Sequence, residues 1–166
     1  MDEYSMEEYS MDEVKLAYAA GIIDGEGCVS LTICKRPDIT SRYECTLKVA
    51  VAMTDREVPQ WLKSTFGGSL SIHLPAKPGY REYYSWMIES RQAIKFLGDI
   101  LPWLRIKIPQ TKLAFQFQEL KSSGGYERQL LKPQEAYRKE LELVGKMRRL
   151  NNRGKQRGNQ IDLSTL

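Results

Sequence analysis

The period of the hydrophobic positions changes several times along the chain, and each change predicts a new element. Ser10, followed three residues later by Glu13, is a capping-box pattern, so a helix is predicted to begin at Met11. Inside it, residues 16–23 (LAYAAGII) carry no charge. Leu16, Ala19, Ala20 and Ile23 form one stripe at helical spacing, and Val14, Ala17, Tyr18 and Gly21 form a second. A helix apolar all round is expected to be covered on more than one side. Gly25 and Gly27 are expected to end it. The period then drops to two. Across residues 28–36, Val29, Leu31 and Ile33 alternate with Ser30, Thr32 and Cys34, the signature of a half-buried strand. After a turn at Pro37-Asp38 the alternation resumes over 43–53, with Cys45, Leu47, Val49 and Val51 inward and Glu44, Thr46, Lys48 and Ala50 outward.

Thr54 with Glu57 predicts the next helix start, with Pro59 in its first turn, and Val58, Trp61, Leu62 and Phe66 supply its apolar face. Gly67-Gly68 stops it. A second strand pair is predicted at 69–74 and 80–89, joined by the loop PAKPG. Ser90 reads as the cap of a helix that carries Ala93, Ile94, Leu97 and Leu101 and ends before Pro102. Pro109 suits the first turn of another helix, with Leu113, Ala114, Phe117 and Leu120 on its face and Gly124-Gly125 at its end. Pro133 opens a last helix through Leu150. The order α-β-β-α-β-β-α with additional C-terminal helices predicts an α+β fold, four antiparallel strands with the helices on one face. The opposite face stays polar, carrying Ser30, Thr32, Arg36, Thr46, Lys48, Ser69, Ser71, His73, Arg81, Tyr83 and Ser85. Such a face is either merely solvated or a ligand platform.

Composition narrows the function classes. A chain of 166 residues suits one ordinary domain. Residues 11–150 are expected to form it, between an acidic leader (1–10, with the short repeat MDEYS-MEEYS) and a basic polar tail (151–166), both expected to be disordered. Six of the 21 acids fall in residues 1–13 with no base among them, so the remainder carries 25 bases against 15 acids, near +10. A basic body favours a polyanionic partner. No apolar run approaches the roughly 20 residues needed to span a bilayer, and the acidic start is unlike a secretory or transit signal. An intracellular setting (cytoplasm, nucleoid or organelle matrix) with no membrane partner is therefore expected. Cys28, Cys34 and Cys45, without a C-x-x-C pair, argue against a disulfide framework and a zinc knuckle. His73 is the only histidine, which excludes chemistry needing two.

Candidate chemistry gathers where the first helix meets the first strand. Ala17, Gly21 and Gly25, spaced four apart, would let another backbone approach closely. The second apolar face is covered either by the chain's own C-terminal helices or by the same helix of a second copy, which would make an isologous two-fold dimer. In the second case Asp24 and Glu26 meet their symmetry mates, and carboxylates so close are relieved by a hard divalent cation.

Residues 19–27, Ala-Ala-Gly-Ile-Ile-Asp-Gly-Glu-Gly, resemble the LAGLIDADG motif of homing endonucleases, with GEG in place of ADG. The motif ends an uncharged helix and feeds an alternating strand, and the likeness in element order extends over about residues 11–120. The resemblance implies a single-motif, homodimeric, site-specific double-strand DNA endonuclease with a saddle-like sheet, of a type usually encoded within introns. Each subunit would cut one strand of a long, nearly palindromic site and leave short 3′ overhangs. It implies Mg²⁺ as cofactor, with Mn²⁺ or Ca²⁺ as substitutes, ligated by Glu26 and by the backbone carbonyl of Gly25. Asp24 is expected to have a structural role at the helix end and is otherwise the alternative ligand.

The family lysine that follows the third helix corresponds to Lys107, with Gln110 ordering water beside it. Where relatives often have a glutamine at the end of the second strand, this chain has Met53, so Thr54 or Asp55 would have to substitute or the solvent network differs. The DNA-reading face would comprise Ser30, Thr32, Cys34, Arg36, Arg42, Glu44, Thr46, Lys48, Ser69, Ser71, His73, Arg81, Tyr83 and Ser85, and the dimer interface Ala17, Tyr18, Gly21 and Gly25. Lys146, Arg148, Arg149, Arg153, Lys155 and Arg157 would add phosphate contacts. The alternative on the same fold is an intron RNA-splicing maturase or a non-catalytic DNA-binding regulator. Either could dispense with the acid that Glu26 supplies.

Overall fold

A helix (α1, Met11–Gly25) begins where the capping box puts it. The Ser10 hydroxyl accepts from the Glu13 amide at 3.2 Å, and the Glu13 carboxylate accepts from the Ser10 amide at 2.8 Å. The computed structural model describes residues 10–36, 42–75, 79–123 and 134–152. After α1 come β1 (Gly27–Arg36), β2 (Arg42–Met53), α2 (Glu57–Phe66), β3 (Ser69–His73), β4 (Tyr83–Glu89) and α3 (Ser90–Ile100). A 3-10 turn (Leu101–Trp103), α4 (Ile108–Ser123) and α5 (Gln134–Asn151) complete the described elements. This is the α+β order read from the sequence. The leader before Ser10 and the tail after Asn152 lie outside the described residues, as does the Gly124-Gly125 stop.

The strands form one antiparallel sheet in the order β1-β2-β4-β3. Its register runs from Gly27 opposite Val51 to Arg36 opposite Arg42, and Val51 in turn lies opposite Trp86. Alternation therefore sends Val29, Leu31, Leu47, Val49, Val51, Trp86 and Ile88 to the same face, where they are buried against Ala19, Ala20 and Ile23 of α1. Leu97 and Ile100 of α3, Ala114 and Phe117 of α4, and Val144 and Met147 of α5 close this core. The indole of buried Trp86 donates to the Gly67 carbonyl at 2.8 Å, which satisfies its N–H. Gly67 and Gly68 both have positive φ, and a Cβ on Gly68 would lie 2.5 Å from the Met87 carbonyl oxygen, so the turn from α2 into β3 requires glycine.

Three local expectations are corrected. Thr54 does not cap α2; the helix starts only at Glu57, behind Arg56, and Asp55 accepts from the Glu57 amide at 2.7 Å. Ser90 is not a cap but the first residue of α3, at φ 50°, because β4 passes into the helix with no linker. α3 ends at Ile100, before Pro102 as expected, and Pro102 lies inside the 3-10 turn that follows. The second strand pair is shorter than its alternation suggested, ending at His73 and beginning at Tyr83.

Candidate active site and nucleic-acid interface

Glu26 occupies the corner between α1 and β1. Its amide donates to the Ile22 carbonyl at 2.8 Å and also reaches Ile23, closing the helix, while its side chain is exposed. No hydrogen bond or ion pair engages its carboxylate among the described residues. The corner is tight. A Cβ on Gly27 would lie 2.6 Å from both the Cα and the carbonyl oxygen of Ile23, so the last position of the motif must be glycine for the strand to leave beside the helix. Gly21 and Gly25 are different, since a Cβ on either would meet nothing within 4 Å.

Asp24 has the opposite surroundings from Glu26. It is half-buried, and its carboxylate accepts three consecutive backbone N–H groups, from Arg105 at 2.7 Å, Ile106 at 3.0 Å and Lys107 at 2.8 Å. Those residues lead into α4, whose first turn closes with the Thr111 amide donating to the Lys107 carbonyl at 3.0 Å. An anion facing the free amides ahead of a helix is electrostatically favoured. The Lys107 backbone is thus held two residues from Glu26, and no ion pair engages the Lys107 ammonium among the described residues.

Gln110 follows Lys107 by three residues, at the start of α4. It is 6% exposed, and its amide nitrogen is 3.4 Å from the Asn151 side-chain oxygen; Asn151 in turn donates to the Val29 carbonyl at 2.9 Å. It joins α4, α5 and β1 from inside.

The free face of the sheet holds most of the residues expected on it. Ser30, Thr32, Thr46 and Ser85 are half-buried, and Cys34, Ser69, Ser71, His73 and Tyr83 are exposed. Arg81 is exposed just ahead of β4, beside Thr54, Asp55 and Glu82. Several are engaged within the chain. Lys48 pairs with Glu89 at 2.8 Å, and that hydrogen bond raises the lysine above its usual pKa. Glu44 pairs with Lys121 of α4 at 3.4 Å. His73 and Tyr83 stack with ring centroids 4.4 Å apart and planes 7° from parallel. Arg36 and Arg42 face each other in the β1–β2 ladder; their side chains lie outside the described set.

Met53 is half-buried opposite Tyr84. A cluster that the sequence reading missed adjoins it: the Arg56 guanidinium lies 5.9 Å from the Tyr84 ring centroid, and the Tyr84 hydroxyl donates to Glu82 at 2.6 Å. The alternation of β4 places Tyr84 beside Met53, but nothing local points to Arg56.

The second face of α1 is open in this chain. Val14 and Tyr18 are 52% and 51% exposed, Ala17 is half-buried and Gly21 is exposed, with Tyr18 leaning edge-on against Trp61 of α2 at 4.9 Å. The C-terminal helices pack on β1 instead.

No group of three or more His, Cys, Asp or Glu is gathered among the described residues. A divalent cation would therefore take from this chain one unengaged carboxylate, a donor of the hard-oxygen kind such ions prefer, and would need other oxygens to complete its shell. The donor fits in kind.

An antiparallel sheet backed by helices in this order is the fold of the LAGLIDADG homing endonucleases. The homing endonuclease I-CvuI, solved with a DNA target in the presence of Mg, is 21% identical over 89% of this chain and 87% of its own, with TM-score 0.69. The archaeal intron-encoded homing endonuclease I-Vdi141I, solved with DNA, is 16% identical over 93% and 92%, with TM-score 0.70. The LAGLIDADG homing endonuclease I-SmaMI, bound to cleaved DNA, is 24% identical over 77% of this chain but only 42% of its own, with TM-score 0.59. No family model and no curated protein matches the chain. Among the described residues no helix is long and apolar enough to cross a membrane.

Proposed function

We propose that this protein is a homodimeric, divalent-metal-dependent, site-specific DNA endonuclease, cutting one strand per subunit at a long, nearly palindromic site and leaving short 3′ overhangs. The observation that carries the reading is the pairing of an unengaged Glu26 with an uncovered helix face that ends at it. Small residues at Ala17, Gly21 and Gly25 let a second α1 approach closely. Two-fold pairing of that face brings the two corners together, so that each glutamate lies near the dyad. Glu26, with the backbone carbonyl of Gly25, would hold the cation against phosphate oxygens of the bound strands. A bound cation supplies an activated nucleophile at neutral pH and stabilises charge on the leaving oxygen, so no histidine is required.

The chain's own groups do the rest. Lys107 presents an ammonium to the charge that develops on the scissile phosphate. The polar face of the sheet lies in the major groove, where Ser30, Thr32, Thr46, Ser71 and the stacked His73 and Tyr83 meet base edges. Arg148 and Arg149, exposed in the last turn of α5, meet phosphates and position the duplex without reading it. An unengaged corner carboxylate favours the nuclease over a maturase or regulator on the same fold, neither of which needs it.

The test is incubation of the purified protein with Mg²⁺ and DNA of the uninterrupted host gene, followed by mapping of the ends. Paired nicks leaving 3′ extensions are expected. Sequence-specific binding without cleavage would favour the regulator, and tight binding to intron RNA alone the maturase.

A further inference from the structure

Glu26 and Lys107 belong to segments far apart in the chain, and one side chain ties them together. We propose that Asp24 is a positioning residue: its carboxylate strap on Arg105, Ile106 and Lys107 sets where Lys107 stands relative to Glu26. The inference rests on the roles given above to those two residues. Three successive N–H groups converging within 3.0 Å on one anion fix the backbone of a segment that belongs to neither helix nor strand. Asp24 does nothing for its own helix, because an acid in the last turn opposes the dipole. Nor is it a convenient metal ligand, since both of its oxygens already accept hydrogen bonds. The strap also joins the helix whose open face is proposed to meet a second copy to the loop that carries the ammonium. Placement of α1 at the dyad therefore places Lys107 as well. Arg105 and Ile106 are exposed, so water can replace the carboxylate, and losing it loosens the loop without emptying the core.

The experiment uses the full chain, a cleavable duplex and Mg²⁺. Asp24→Asn keeps the size of the side chain but removes its charge and one acceptor oxygen. The single-turnover cleavage rate is expected to fall about 10- to 100-fold, the scale of a displacement of roughly 1 Å at a reacting centre, with duplex affinity and sedimentation unchanged. In a Lys107→Ala background the same substitution should slow the rate by less than about twofold, because a residue acting only through Lys107 has nothing left to position. An equal penalty in both backgrounds overturns the proposal. Amide exchange supplies a readout independent of cleavage and of whether the variant folds. In the wild-type protein the amides of residues 105–107 should be protected; exchange at open-loop rates overturns the strap. A wild-type protein that cuts no DNA, yet protects these amides and releases them in Asp24→Asn, overturns the nuclease reading and leaves the strap supported.

Discussion

The two faces of α1 have opposite fates. Ala19, Ala20 and Ile23 are fully buried, finished within the chain by the sheet and α3, whereas Val14, Tyr18 and Gly21 on the other side face solvent. The acids at the end of the helix divide the same way. The Asp24 carboxylate accepts three hydrogen bonds within the chain, and the Glu26 carboxylate none among the described residues. The glycines repeat the division, since Gly27 is demanded by a contact with Ile23 while Gly21 and Gly25 are demanded by nothing in the chain. A helix serving only its own fold would place larger residues at those two sites, because glycine weakens a helix by about 1 kcal/mol relative to alanine. The open face is free to meet a partner, while the closed face holds the corner still.

The comparison breaks most sharply at the acids. Glu26→Gln keeps size and polarity but removes the charge, and should lower Mg²⁺-dependent cleavage by at least about 10²- to 10³-fold with duplex affinity retained. Cleavage at the wild-type rate would remove Glu26 from the site. The two faces come next. Ile23→Ala should destabilise the fold by about 2–5 kcal/mol, read by denaturant titration, because it empties a fully buried site. Val14→Ala should change the stability of the subunit by less than about 0.5 kcal/mol while weakening self-association. Equal costs at the two sites would mean that the second face is covered within the chain after all.

Most of this architecture was legible because hydrophobic period is set by geometry alone. The alternation of Val29, Leu31, Cys45, Leu47 and Val49 survives into the structure residue for residue, as does the Ser10–Glu13 cap. What failed was turn chemistry at element boundaries. Thr54 and Ser90 carry the right side chains for caps, but α2 starts only at Glu57, behind Arg56, and α3 starts at Ser90 itself. The burial of Gln110 went unread for a different reason. It belongs to the stripe Gln110, Leu113, Ala114 and Phe117, spaced by three and four, and that membership was itself the signal of burial. The contrast between Asp24 and Glu26 was only half legible. The motif suggests that the two acids differ in role, but the partners of Asp24 lie more than 80 residues away, where no local pattern reaches.

A smaller effect sharpens the reading of the open face. In a free subunit Gly21→Ala should stabilise α1 by about 0.5–1 kcal/mol, since the new Cβ meets nothing and alanine is the better helix former. In a dimer that brings two backbones together at this position the same methyl obstructs the contact. The expected signature is a higher melting temperature at low protein concentration together with weaker dimerisation by sedimentation. A gain in melting temperature with dimerisation intact would show that the helices meet elsewhere.

The smallest effect concerns the sheet rather than the helix. Lys48 pairs with Glu89 across β2 and β4 on the free face, and its pKa in the folded state is raised above the unfolded value of 10.5, chiefly by that hydrogen bond. A raised lysine contributes stability that is complete below the unfolded pKa and is lost as pH rises through the folded one. Both side chains are partly solvated, so the pair is worth no more than a few tenths of a kcal/mol and is screened by salt. Lys48→Met should therefore leave stability at pH 7 within about 0.5 kcal/mol and flatten a slight decline above pH 10.5. Its larger consequence belongs to the surface. If the free face reads DNA, the ammonium must exchange Glu89 for a phosphate or base, and Glu89→Gln, which releases it, should strengthen duplex binding by a few-fold and steepen its salt dependence.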